Sequence, residues 1–151
     1  MLPIAAIRGE GTSNDYLPHE VPSLPAFSML RAISSAVRDQ GKDYWTGTIY
    51  TTNRRVWEYD SKFKDYLTST HATGIDMETA TLLTAGFANK IPTGALLMIS
   101  DKPWEENGVK TEESDRMVTK KFAKEHVKLG IEALNQIIEG KQTIRHILFS
   151  W

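Results

Sequence analysis

The stretch 74–102 limits the fold more than any other part of the sequence. It runs Gly74-Ile-Asp-Met-Glu-Thr-Ala, then a segment of small residues, then Pro92-Thr-Gly-Ala-Leu-Leu-Met-Ile-Ser-Asp-Lys. A short strand ending at Ile75 is expected to feed a helix over about 78–89, in which Ala80, Ala85, Gly86 and Ala88 permit close packing on a sheet. Residues 93–100 are expected as a buried strand. The result is a βαβ-like unit with Asp76, Glu78 and Asp101 at its breaks. Ligands of open α/β sheets bind outside the carboxyl ends of parallel strands, so these carboxylates are the first candidates for a site.

The flanking sequence extends the same alternation. Residues 2–7 form a continuous apolar run that stops at Arg8-Gly-Glu-Gly-Thr-Ser, as expected of a buried strand ending in a loop that can approach a ligand. Pro18, Pro22 and Pro25 keep the next segment extended. A helix then follows, with Ser23 as its expected cap, Phe27, Leu30, Ile33 and Val37 as its apolar positions and Gly41 as its stop. Residues 44–52, rich in β-branched and aromatic side chains, read as a strand. The segment to Leu67 fits a short helix or a packed loop. A polar stretch over 101–113 precedes a long helix over about 114–139, whose expected apolar face is Val118, Phe122, Val127, Ile131, Leu134 and Ile138, with Gly140 as its stop. Residues 143–151 are expected as a terminal strand or tail, with Phe149 and Trp151 suited to a partner subunit. Strands alternating with helices predict an α/β fold with a mixed, mostly parallel central sheet.

Bulk properties exclude several functions. With 151 residues one domain is expected, and 18 basic against 19 acidic side chains leave a net charge of −1, which gives no field to attract a nucleic acid polymer. The absence of cysteine removes thiolate metal sites, disulfides and a thiol nucleophile, and fits a cytoplasmic setting. No apolar run reaches the length of a membrane span. Gly9-Glu10-Gly11 lacks the third glycine of a dinucleotide fingerprint, so no nicotinamide or flavin is implied. His19, His71, His126 and His146 show no metal-ligand spacing.

Each candidate has a structural reading beside its chemical one. Asp101, preceded by Ser100 at the end of the second apolar run, could hold a proton for a leaving group, or cap the turn before Pro103. Glu78 could accept two hydrogen bonds from vicinal hydroxyls beside the soft surface of Met77, while Asp76 or Glu78 could simply complement a helix N-terminus. Trp57 follows Arg54 and Arg55, which would place an indole for stacking a purine close to cations for a phosphate; core packing of Trp57 explains it equally well. Arg116 could bond Asp101 across the polar stretch, or remain on the surface.

Taken together, Arg8-Gly-Glu-Gly-Thr-Ser, Thr46-Gly-Thr-Ile-Tyr-Thr-Thr with Trp57-Glu58, Ile75-Asp-Met-Glu-Thr-Ala-Thr and Ser100-Asp-Lys-Pro resemble, in that order, the nucleoside phosphorylase superfamily and within it the AMP nucleosidases. The resemblance covers almost the whole chain. It implies a three-layer phosphorylase/hydrolase-like fold, incomplete at the N-terminus. Family members begin with strands that carry a Gly-rich turn and a phosphate-binding arginine, and the resemblance makes residues 1–151 the C-terminal portion of a single such domain. It implies that Met77 and Glu78 contact the ribose, that Asp101 protonates the purine with Arg116 as its partner, and that Trp57 covers the base. The implied reaction is hydrolysis of AMP to adenine and ribose 5-phosphate, without metal or organic cofactor, in a homo-oligomer, commonly a hexamer. A purine nucleoside phosphorylase, or a non-catalytic remnant that binds nucleotide or assembles with a partner, are the alternatives.

Overall fold

The computed structural model describes residues 1–140. Three parallel strands, β1 (Leu2–Gly9), β2 (Thr46–Thr52) and β3 (Gly74–Asp76), form one sheet in the order β1-β2-β3. Their crossovers carry α1 (Phe27–Asp39) and α2 (Ser61–Ser69), and α3 (Thr79–Ala88) and α4 (Glu112–Glu139) follow β3. The α/β class and the mostly parallel sheet are as the alternation predicts.

Pleating of β2 sets the layers, because successive residues face opposite sides. Ile49 packs with Ala6 and with Ala80 and Leu83 of α3, while Tyr50 packs with Trp57 and with Phe63 and Leu67 of α2. A third cluster joins Leu2 to Ala32, Ile33, Ala36 and Val37 of α1 and Leu129 and Ala133 of α4. Register brings Gly9 opposite Thr52 and Thr51 opposite Asp76, so all three strands end along one carboxyl edge.

Local signals explain most element ends. Gly41 takes φ +68°, its N–H donates to Arg38 O and the Lys42 N–H to Val37 O, which closes α1 in a Schellman turn. Thr111 and Ser114 form a reciprocal capping box at the start of α4. Asp60 caps α2 through the Phe63 N–H.

Three expectations are corrected. Ser23 does not cap α1, whose N-cap is Ala26. Its hydroxyl instead donates to Ala80 O, and its backbone bridges Ala6. Residues 93–100 form no strand: they run extended and half-exposed, joined to the sheet edge by the reciprocal bonds of Met1 and Leu97 and to α1 by Ala26 N–H to Thr93 O. The ladder cannot continue, because Pro3 has no N–H and a bulge between Pro3 and Ala5 shifts the register of β1. The third correction concerns α4. Val127, Ile131, Leu134 and Ile138 are exposed, and the face that packs on α1 is Leu129 and Ala133 with Ile137 beside them. The expected tail over 143–151 lies outside the described residues.

Candidate active site at the carboxyl edge of the sheet

The end of β2 holds the edge together. Thr51 is fully buried; its hydroxyl donates to Asp76 Oδ1 at 2.7 Å and accepts the Ala80 N–H at 2.9 Å. Asp76 Oδ2 accepts the Thr79 N–H at 2.9 Å and the Thr79 hydroxyl. Asp76 therefore clamps β2, β3 and the first turn of α3, with both oxygens engaged inside the protein. The next two residues are presented to solvent: Met77 is exposed, and so is Glu78, whose Oε2 accepts the Met77 N–H at 3.1 Å. Met77 and Glu78 are thus the exposed residues at this edge, with Asp76 behind them as the support.

The loop after β1 is built on a charged side chain. Arg8 is buried, and its guanidinium donates to Ser13 Oγ, Asn14 Oδ1 and the carbonyls of Pro18, Leu17 and Val21 at 2.5–2.9 Å. Its fork is thus consumed in folding the loop over residues 13–21 and leaves no donor for a phosphate. Glu10, also buried, accepts the Ser13 N–H at 2.9 Å and the Thr81 hydroxyl at 2.8 Å through Oε1, while Oε2 has no partner. Burial acts to raise its pKa, but these hydrogen bonds outweigh it and hold the carboxyl below the ordinary value. Sequence reasoning passed over Glu10, treating its two glycines only as a failed dinucleotide motif.

The remaining candidates lie on the loop beyond residue 100. Ser100 Oγ donates to Asp101 Oδ1 at 2.8 Å. The loop is tied to α2 by Lys64 Nζ donating to Pro103 O at 2.8 Å, and Trp104 lies against Trp57 with centroids 5.6 Å apart. Trp57 is buried in the α2 cluster, so its indole is packed in the core. Arg116 and Asp101 are not brought together: Arg116 pairs with Glu112 one turn earlier on α4, and both side chains are well exposed.

An open cleft of about 580 Å³ lies at the ends of β1 and β2, lined by Gly9, Tyr50, Thr52, Arg54, Lys62 and Tyr66 among others. A second, of about 330 Å³, shares Gly9, Tyr50 and Tyr66. Neither is lined by Trp57, Met77, Glu78 or Asp101. Gly9 is required here, since a Cβ at that position would run into the Tyr50 ring. The Tyr50 phenol is pushed up to about 12 by burial and by its hydrogen bond with Tyr66, so it stays neutral. Among the described residues no group of three or more metal-ligating side chains occurs, and no helix is long and apolar enough to cross a membrane.

A crystal structure of AMP nucleosidase from Bacteroides thetaiotaomicron is 67% identical, with a TM-score of 0.78 over 94% of this chain and 54% of that one. The AMP nucleosidase of Escherichia coli K12 is 28% identical over 141 residues, 87% of this chain and 29% of that protein. The uridine phosphorylase of Treponema pallidum is 30% identical over 105 residues, 62% of this chain and 40% of that protein. The chain thus spans about half of the solved relative and less of the curated ones. The sequence profile of the Phosphorylase superfamily matches residues 1–138, and the chain belongs to that superfamily.

Proposed function

We propose that this chain acts in hydrolysis of the N-glycosidic bond of AMP, as the C-terminal portion of a single phosphorylase-like domain. The observation that carries the reading is the 67% identity to an AMP nucleosidase over 94% of the chain. Its residues have roles that suit the reaction. Glu78 accepts hydrogen bonds from the ribose hydroxyls and Met77 lies against the sugar, both presented by the clamp at Asp76. Asp101, oriented by Ser100, gives a proton to the purine as the bond from C1′ to N9 breaks. Water supplies the oxygen that bonds to C1′, and its proton balances the one delivered to the base. The transition state has oxocarbenium character, so protonating the leaving group lowers the barrier. Arg116 joins Asp101 only if the loop over residues 101–110 moves, since it now pairs with Glu112. Trp57 supports the base side through Trp104 and the α2 cluster. The same reading makes the protein a cytoplasmic homo-oligomer of purine salvage, and the exposed apolar stripe of α4 supports an assembly.

Adenine release from AMP in phosphate-free buffer tests this, with the Bacteroides thetaiotaomicron enzyme as reference. The expected products are adenine and ribose 5-phosphate at a rate independent of added phosphate. Release that requires phosphate and yields a sugar 1-phosphate assigns a phosphorylase instead. AMP binding without release assigns a nucleotide-binding remnant.

A further inference from the structure

The cleft beside α2 has no role in the chemistry above, yet its lining is selective. Its charged groups are Arg54, Lys62 and Asp60, a balance of two cations against one carboxylate. That carboxylate is already occupied: Oδ1 accepts the Phe63 N–H at 3.0 Å, and Oδ2 lies 3.2 Å from Arg54 Nη1. Arg54 uses one of the five N–H donors of its guanidinium on Asp60, and the group is held 4.1 Å above the Phe63 ring, which fixes its plane. Lys62 makes no ion pair among the described residues and is exposed at the mouth. The wall adds the hydroxyls of Tyr50 and Tyr66 and the amide of Asn53. Tyr50 is buried, and its ring meets that of Tyr66 edge-on with centroids 5.9 Å apart.

The aromatic rings do not offer a base-stacking surface. One face of Phe63 is covered by Arg54, Tyr66 stacks on Phe63, and Tyr50 meets both edge-on. What remains is a donor-rich, net positive cleft, suited to a compact anion with several acceptor oxygens. Two other cations near the edge are committed elsewhere, Arg8 to loop carbonyls and Lys102 to Glu105. The cleft lies on the α2 face of β2, where Tyr50 and Thr52 line it, while Thr51 holds Asp76 on the opposite face; both lie at the same carboxyl edge of the sheet.

We propose that the cleft formed by Arg54, Lys62, Asn53, Tyr50 and Tyr66 seats the phosphate group of the nucleotide. The assignment to a nucleotide rests on the AMP-cleaving reading; the affinity for a phosphate monoester does not. Arg54 grips the phosphate through its free N–H donors, Lys62 adds a mobile charge, and the exposed Tyr66 phenol donates from the wall.

The test is titration of the chain with ribose 5-phosphate and, separately, with ribose, before and after Lys62→Gln and Tyr66→Phe. Both side chains are exposed, and unchanged thermal unfolding confirms that each variant is folded. Each substitution is expected to weaken ribose 5-phosphate about tenfold, as for loss of a charge-assisted hydrogen bond, with ribose unaffected. No binding of ribose 5-phosphate by the parent chain, or an affinity in both variants equal to that of the parent, overturns the proposal. Adenine release from AMP with a KM unmoved by these substitutions removes the phosphate seat and keeps the nucleosidase. Loss of ribose 5-phosphate binding in the variants, with no adenine release by the parent, keeps the seat and removes the reaction.

Discussion

Ser100 Oγ donates a 2.8 Å hydrogen bond to Asp101 Oδ1, so one oxygen of this carboxyl is oriented by its neighbour and the other is left for a ligand. If Asp101 is the proton donor, its contribution is made in the transition state, where the base leaves. Asp101→Asn is then expected to lower kcat for adenine release by about 10²–10⁴-fold while KM for AMP stays nearly constant. Steady-state kinetics decide this, and an equal fall in binding and rate assigns Asp101 to ground-state recognition instead.

Thr51 carries a larger structural burden than its size suggests. Its hydroxyl serves Asp76 and the Ala80 N–H at once, in a position with no solvent access. Thr51→Val keeps the shape but removes a donor and an acceptor, leaving a buried amide and a carboxylate oxygen without partners. Loss of about 1–3 kcal/mol is expected in urea unfolding, the range for a buried polar group left unsatisfied. Glu78→Gln, on an exposed side chain two residues past Asp76, is expected to leave stability unchanged and to weaken ribose recognition.

Local chemistry accounts for what could be read in advance. Gly41 and Gly140 mark helix ends in the sequence because a helix stop is a local event. The carboxyl edge was also legible, since the expected strand ends at Ile7, Thr52 and Ile75 fall within two residues of those observed at Gly9, Thr52 and Asp76. What failed depended on distant partners. Residues 93–100 are as apolar as a buried strand, but strand pairing needs a neighbour with free backbone groups, and Pro3 and the bulge deny it one. The duties of Arg8 and Glu10 were illegible for the same reason: Arg8 folds a loop of carbonyls contributed by residues up to Val21, and Glu10 reaches Thr81 on α3. The Arg54 and Lys62 cleft arises only when α2 folds beside the ends of β1 and β2.

Alkaline pH offers a separate check on the cleft wall. The Tyr50 phenol, ordinarily titrating at 10.0, is raised to about 12 by burial first, then by the Tyr66 hydrogen bond, with Arg54 opposing and Glu10 assisting. Between these values the unfolded chain releases a proton that the folded chain retains. The stabilisation linked to this group is therefore complete below pH 10 and is lost as the pH rises toward 12. Tyr50→Phe is expected to remove that component of the alkaline decline, as measured by urea unfolding at a series of pH values. A decline identical in the variant shows that the phenol ionises freely in the fold.

Helix α4 distinguishes periodicity from packing. Its sequence carries two apolar stripes: Val127, Ile131, Leu134 and Ile138 on one side, and Leu129, Ala133 and Ile137 on another. The first follows the helical repeat more conspicuously, yet Ile131 is 54% exposed and Leu134 49%, whereas Leu129 is 8% and Ala133 1% exposed. Ala133 is small because α1 approaches closely there, with Ala32 and Ala36 in the same cluster. The Gln136 to Asp39 hydrogen bond at 3.0 Å and the Lys42 to Glu125 ion pair at 2.7 Å fix the same orientation from its edges. Leu129→Ala is expected to cost about 2–4 kcal/mol by opening a cavity between α1 and α4, and Ile131→Ala less than about 0.5 kcal/mol in the isolated chain. Urea unfolding at low protein concentration measures both. If Ile131→Ala costs as much as Leu129→Ala and the loss grows with protein concentration, the stripe is already covered by another copy of the chain, because only an association equilibrium makes apparent stability depend on concentration.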